Sequence, residues 1–284
     1  MTNDERQELQ KQIDAQAEIV DGVRIIRLQH VREVATAFDC PIQGIELAAL
    51  EAGVVPWRYL RNLGTVGLDG QARLLQATVA VVGLGGLGGH VTEALARMGV
   101  GRLILIDGDV FEEHNLNRQV LSAEDRLGRP KVQVARQRVA EINGAVEVIG
   151  HTVMLTRENL PQLLEGADVV VDALDRLPIR LVLQEGAQEL GIPMVHGSIA
   201  GFLGQVMTIF PDDLGLHSLY GGQGELPEQG LEAQLGTPAA TPMAVASWEA
   251  QEVVKILLDH GYLLRHRLLV MDMESSTVEI LQLG

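Results

Sequence analysis

The residues with the most chemistry in them begin at a glycine turn. Val79-Ala-Val-Val-Gly83-Leu-Gly85-Gly86-Leu-Gly88-Gly89 runs an apolar strand into glycines spaced G-x-G-x-x-G. Gly83 permits the tight turn, Gly85 lets backbone approach a phosphate, and Gly88 lets the following helix pack on the strand. Free N–H groups and the positive end of the helix dipole then face an anion. Asp107 closes the next apolar strand, Leu103-Ile-Leu-Ile, roughly 20 residues beyond the glycines, where a ribose-binding carboxylate belongs. By themselves these residues suggest NAD.

Three further clusters follow, and the first, with the lysine of the second, does not fit NAD. Asn115-Leu-Asn117-Arg118-Gln119 follows Asp107-Gly-Asp109 within a few residues. Arg118 suits a phosphoryl group whose charge is redistributed in a transition state. Asn115 and Gln119 would position ribose or phosphate oxygens. Gly128-Arg-Pro130-Lys131 opens a helix whose apolar face is Val132, Ala135, Val139 and Ile142. Lys131 thus sits at the positive end of a helix dipole, which costs an exposed cation roughly 0.3–1 kcal/mol. A bound phosphate would reverse that sign. Val169-Val-Val-Asp172-Ala-Leu-Asp175 puts two more carboxylates at a strand end. Asp109 and Asp172 either support the site from behind or cap turns, a common use of Asp.

These residues need elements to hold them. Strands are expected at about 78–83, 102–107, 146–150, 168–172 and 193–195, with helices at about 88–98, 130–142, 157–165 and 178–190 between them. This alternation is a doubly wound, Rossmann-like α/β pattern with a mostly parallel sheet. Beyond Gly201 it changes. A Gly/Pro/Gln-rich loop covers 211–242, a helix 243–259, and two antiparallel strands 267–272 and 277–282. Glu249, Glu252, Lys255 and Asp259 form one stripe on that helix, expected in water, with its other faces buried. Residues 1–55 read as a helical accessory segment ahead of a nucleotide-binding domain at 56–284. In its first helix Leu9, Ile13, Ala17 and Val20 share a face, and Asp4 and Glu5 occupy the first turn. Further helices are expected at about 30–38 and 44–52. The last carries Glu46 and Glu51 and no Arg or Lys, so it reads as a cap, not as a DNA-reading element.

Composition narrows the classes. The 284 residues are 46% hydrophobic but only 3% aromatic, so the core is built from Leu, Val, Ile and Ala. That suits a parallel sheet covered on both faces. A formal charge of −16 repels nucleic acid at long range, which argues against a DNA partner. Cys40 is the single cysteine, so no disulfide framework and no paired-thiolate zinc site can be built from this chain. Met1-Thr-Asn-Asp-Glu-Arg lacks an apolar core, and no apolar run approaches the roughly 20 residues of a membrane span. No membrane partner is expected, and the expected location is the cytoplasm.

With its motifs in this order, the chain resembles the ubiquitin-activating-enzyme-like adenylyltransferases of the MoeB/ThiF/HesA superfamily, over roughly residues 57–284. The resemblance implies ATP and Mg²⁺ as cofactors, with Asp107 on the ribose and Asp175 on the metal. It implies a phosphate-binding role for Lys131 and a homodimer in which Arg61, in Tyr59-Leu-Arg61-Asn62, reaches the partner subunit's ATP. Asn62 stands where a glutamine is common. The implied substrate is the C-terminal glycine of a small ubiquitin-fold sulfur carrier ending in Gly-Gly, activated as acyl-AMP.

The departures are as specific as the matches. Many relatives hold zinc with two Cys-x-x-Cys pairs; here the first corresponding stretch, Phe210 to Tyr220, has no cysteine, and no structural zinc is expected. Many also carry an acceptor cysteine in the crossover loop, and residues 221–242 contain none. Cys40 reads as a small buried hydrophobe. His196 and His217 alone do not make a metal site. The competing readings are a relative of the tRNA threonylcarbamoyladenosine dehydratase, a non-catalytic ATP-binding scaffold subunit, and a plain NAD-dependent oxidoreductase.

Overall fold

The computed structural model describes residues 2–220, 230 and 232–283. Part of the expected 211–242 loop, residues 221–229 and 231, lies outside the described residues. The chain starts with helix α1 (Asn3–Gln16), whose N-terminus is closed by a reciprocal Thr2–Glu5 capping box. Strands β1 (Glu18–Val20) and β2 (Val23–Ile26) follow, then α2 (Leu28–Ala37), α3 (Ile42–Glu51) and β3 (Val55–Pro56). The helical segment therefore also carries short strands. Val20 is not on the first helix but ends β1, which pairs antiparallel with β2 across Asp21 and Gly22. Both turn residues have positive φ, 51° and 78°, the backbone that a two-residue hairpin demands. The strands form a three-stranded sheet in the order β1-β2-β3.

This unit has its own apolar core of Leu9, Ile13, Ile26, Val31, Val34, Ile45, Ala49 and Val54. Cys40 packs at its margin, half-buried. A buried polar knot ties the unit to the rest of the chain. Tyr59, fully buried in a short 3-10 turn (Trp57–Tyr59), donates its hydroxyl to Glu46 Oε2 at 2.9 Å and accepts from Asn143 Nδ2 at 2.8 Å. Arg58 lies 3.2 Å from Glu46 Oε1 and also meets Asn143. Burial pushes the Glu46 carboxyl up, against the pull of Arg58 and Tyr59.

From α4 (Leu63–Gln76), broken at Gly67 where φ is 68°, the chain builds one large sheet. Its first half runs β4 (Thr78–Val82), α5 (Gly86–Met98), β5 (Arg102–Ile106), α6 (Lys131–Ile142) and β6 (Glu147–His151). A short α7 (Leu160–Leu163) replaces the helix expected at 157–165, and then come β7 (Val169–Asp172), α8 (Leu177–Glu189) and β8 (Met194–Ala200). The last part is β9 (Leu203–Ile209), α9 (His217–Tyr220), α10 (Glu232–Leu235), α11 (Ala240–Leu258), β10 (Arg267–Asp272) and β11 (Thr277–Gln282). The sheet order is β11-β10-β9-β8-β7-β4-β5-β6. Strands β8, β7, β4, β5 and β6 are parallel, and β9, β10 and β11 add antiparallel pairs. The order reverses beside β4, with β5 on one flank and β7 on the other. In open sheets of this kind ligands bind outside the carboxyl ends of the strands at that switch.

Helix α11 departs from expectation. Glu249 and Glu252 are fully buried, not in water. Glu252 Oε2 accepts from Thr208 Oγ1 at 2.6 Å and from the Leu264 N–H at 2.8 Å, and Lys255 pairs with its other oxygen. The exposed stripe is instead Met243, Ser247, Trp248 and Gln251. The elements that supplied its polar partners are distant in sequence, which is why helical spacing alone misplaced the stripe.

The sheet's central strand fixes how close α5 comes to the site. A Cβ at Gly88 would fall 1.8 Å from Gly83 O and 3.2 Å from Ala173 Cβ. Backbone cannot yield that distance as a side chain can. Gly88→Ala should therefore cost about 3 kcal/mol or more. A urea denaturation midpoint within error of wild type would show that α5 has room to shift.

Candidate active site

The carboxyl ends of β4, β5 and β7 surround a cavity of about 360 Å³. Gly83, Gly85, Gly86, Asp107, Asp109, Arg118, Gln119, Lys131 and Asp175 all line it. Gly83 adopts φ 90° directly after β4, and a Cβ there would lie 2.6 Å from Ala173 O. Gly85 and Gly86 begin α5 and face Gln119 and Arg118 side chains at ordinary contact distance. Their missing side chains leave a cradle of backbone at a helix N-terminus.

Asp107 is held from two sides. Its Oδ2 accepts the Leu84 N–H at 2.7 Å and its Oδ1 the Asp109 N–H at 2.8 Å. Burial pushes its carboxyl up, partly offset by Lys131 and those two N–H groups. Lys131 Nζ lies 3.0 Å from Asp109 Oδ2 and 3.8 Å from Asp107 Oδ2. Lys131 is buried at the start of α6, not a solvated surface cation. The two carboxylates offset the helix dipole there. The Asp109 side chain is 59% exposed, so solvent weakens its bond to Lys131.

Arg118 is half-buried and donates to His114 O at 2.9 Å and Asn117 Oδ1 at 2.8 Å. Burial lowers its pKa, and the facing charge of Asp175 opposes that. Gln119 is buried, and its Oε1 has no hydrogen-bond partner among the described residues. A ligand donor in the cavity would satisfy it. Asp175 is exposed on the wall, in the turn after β7.

Three expected site residues fall elsewhere. Gly88 is inside α5, where it serves helix packing. Asn115 is buried away from the cavity wall and accepts the Glu112 N–H at 2.9 Å, closing the turn that presents Arg118. Arg61 is exposed and does not line the cavity. Sequence reasoning missed Arg176, Arg180 and the Val153–Leu155 segment, all on the wall. The last follows β6, so the rule that ligands sit past parallel strand ends could have found it.

Beneath the wall lies a buried cluster. Asp172 is fully buried, takes His196 Nδ1 at 2.7 Å and accepts the Leu174 N–H at 3.1 Å. Burial would raise its carboxyl, but Arg180 and His196 outweigh that and hold it below the usual range. Burial lowers His196, against the pull of Asp172, and its Nδ1 faces the carboxylate. Glu249 fills the space where Gly197 has no side chain; a Cβ there would lie 2.4 Å from its Cδ. Neither Glu249 oxygen has a hydrogen-bond partner among the described residues. Burial and the Asp172 charge raise the Glu249 carboxyl well above its ordinary value, against Arg180.

The fold and the site define a class: a doubly wound nucleotide-binding protein with an anion cradle and paired cations at its topological switch. The chain belongs to the ThiF family, whose model matches residues 59–284. It is 40% identical over 227 residues to the SAMP-activating enzyme E1 of Haloferax volcanii, covering 78% of this chain and 83% of that protein. It is 38% identical over 228 residues to the sulfur carrier protein adenylyltransferase of Thermus thermophilus, covering 76% and 82%. Among solved structures, Escherichia coli MccB with MccA-N7isoASN gives a TM-score of 0.70 at 23% identity, over 80% of this chain and 72% of that one. MccB in complex with N-formylated MccA gives 0.69 at 20% identity over 98% and 88%, a likeness of fold. The protein is an ATP-dependent adenylyltransferase.

The buried cluster sets a pH dependence. The folded-state pKa of Glu249 is raised, so its favourable contribution is complete below the unfolded value of 4.5 and is lost as pH rises toward the folded value. The slope is at most about 1.4 kcal/mol per pH unit. Glu249→Gln removes this titration beside Asp172, Arg180 and His196. The variant should melt higher than wild type at pH 8, with the gap closing toward pH 4.5. Parallel melting curves across that range would contradict a protonated Glu249.

Proposed function

We propose that the protein activates the C-terminal carboxylate of a small ubiquitin-fold sulfur carrier as acyl-AMP. The observation that carries this reading is the convergence of the Gly83–Gly86 cradle, Lys131, Arg118 and Asp175 on one cavity, with a Gln119 oxygen that has no partner among the described residues. The names of the relatives support the substrate class: one is a sulfur carrier protein adenylyltransferase.

In this reading Asp107 accepts from the ATP ribose, and the N–H groups at the start of α5 face the phosphates. The open rim admits the carrier's C-terminus. A carboxylate oxygen attacks the α-phosphorus, the bond to the bridging oxygen breaks, and pyrophosphate leaves with the electron pair. Arg118 and Lys131 stabilise charge that builds on the phosphoryl oxygens and the leaving group, so catalysis is positioning plus electrostatics. Asp175 is the residue that would hold Mg²⁺. A lone exposed carboxylate fits that ion, which takes one or two carboxylates with phosphate oxygens and water. Bound there, Mg²⁺ would supply charge neutralisation of the phosphates.

With no cysteine in residues 221–242, the adenylate passes directly to an external sulfur donor or another enzyme. Arg61, exposed and outside the cavity, is free to serve a partner's site in a homodimer. The proposed place of work is the cytoplasm; among the described residues no helix is long and apolar enough to cross a membrane. Residues 1–55 are proposed as an accessory unit to an adenylation domain at 56–284.

Pyrophosphate exchange into ATP tests the reading, with Gly-Gly-ending carriers, tRNA, or nothing added. Exchange should need a carrier. Asp175→Asn should abolish it, Arg118→Ala should slow it by about 10²–10³, and Cys40→Ser should leave it nearly unchanged. Exchange with tRNA alone, or a carrier thioester on Cys40, would overturn the proposal.

A further inference from the structure

The turn Ala173–Leu174–Asp175 has the Gly83 backbone on one side and Arg180 on the other. Arg180 is 8% exposed, reaches up from α8, and donates to Leu174 O and, at 3.3 Å, to Gly197 O. Asp172 accepts the Leu174 N–H, so both polar groups of that residue are held by buried charged side chains. Gly83 packs against Ala173 O so closely that no side chain fits between them. The turn thus has little freedom so long as the guanidinium is in place.

We propose that Arg180 is a positioning residue for nucleotide transfer: it clamps the Ala173–Asp175 turn from beneath and so fixes the Asp175 carboxylate on the cavity wall. The proposal rests on the adenylation reading for what Asp175 does, but not for what Arg180 holds. A planar guanidinium can bond two carbonyls on different segments at once, and an ammonium cannot match that fork. Asp172 supplies the opposite charge. Burial lowers the His196 pKa and raises that of Glu249, so both disfavour added charge beside this pair. Arg180 also has a buried Nε with no partner among the described residues, so its stem is held by the two carbonyls and the charge of Asp172. The clamp leaves Asp175 itself exposed, where a metal-bound polyphosphate can meet it.

The test compares wild type, Arg180→Lys, Asp175→Asn and the double variant. Amide hydrogen exchange over residues 173–176 reads the clamp without any reaction. Calorimetry reads ATP binding with and without Mg²⁺, and pyrophosphate exchange reads transfer. Arg180→Lys should fold, speed amide exchange in that segment by roughly tenfold or more, and slow transfer by about 10–100-fold, the scale of an ångström of misplacement. It should leave metal-free ATP affinity within about threefold and weaken the gain that Mg²⁺ gives, as expected for an effect carried by Asp175. In ATP binding, the double variant should gain no less from Mg²⁺ than Asp175→Asn does.

Unchanged amide exchange in Arg180→Lys would overturn the proposal. So would a Mg²⁺ gain in ATP affinity that falls further in the double variant than in Asp175→Asn, or a fall in metal-free ATP affinity in Arg180→Lys as large as its fall in rate, which marks direct contact with nucleotide. Should wild type bind ATP yet show no pyrophosphate exchange with any carrier, the adenylation reading fails. The amide exchange and the Mg²⁺ dependence of ATP binding then still decide the role of Arg180.

Discussion

The cavity exists because α5 comes within backbone contact of the end of β4. The Gly88 α-carbon faces Gly83 O with no space for a side-chain atom, and the Gly83 turn in turn presses on Ala173 O. Three strand ends are thereby locked in register: β4 by its own turn, β7 through Ala173, and β5 through Asp107, whose carboxylate takes the Leu84 N–H. A looser approach would open the cradle and separate the α5 N-terminus from the carboxylates that face it. The apolar strands beneath, with every residue of β4 and β7 buried, supply the rigidity that makes this spacing hold.

On this frame the site concentrates charge against the balance of the whole chain. A protein of formal charge −16 gathers Arg118, Lys131, Arg176 and Arg180 around one cavity. Three of these cations have a carboxylate set against them. Lys131 has Asp107 and Asp109, Arg118 faces Asp175, and Arg180 has Asp172. The exposures differ in a useful direction. Asp172 is sealed and stays with Arg180, whereas Asp109 and Asp175 stand open to solvent.

How much of this was legible in the sequence depends on how local the cause is. The glycine turn, the parallel strands and the Asp107, Arg118 and Lys131 positions were readable because apolar runs and motif spacing act over a few residues. Ala17 and Val20 satisfied a helical face in the pattern, but the Asp21-Gly22 pair turned the chain into a hairpin. Asn115 sits in the same motif as Arg118, and nothing in its type reveals that it bonds a backbone N–H three residues away. Glu249, Glu252 and Arg180 were misplaced or missed for one reason. Their burial is licensed by Gly197, Thr208, Leu264 and Asp172, which the fold brings in from other segments.

The knot around Tyr59 has a mechanical meaning. Its hydroxyl sits between Glu46 of the N-terminal unit and Asn143, whose amide also bonds Ala96 O at the end of α5. Force applied to α3 therefore reaches the C-terminal ends of α5 and α6 through buried hydrogen bonds, not through a slack peptide. The N-terminal unit is a handle bolted to the nucleotide domain, not a bead on a string. Whatever grips it also grips the segment carrying Arg61, two residues beyond the bolt.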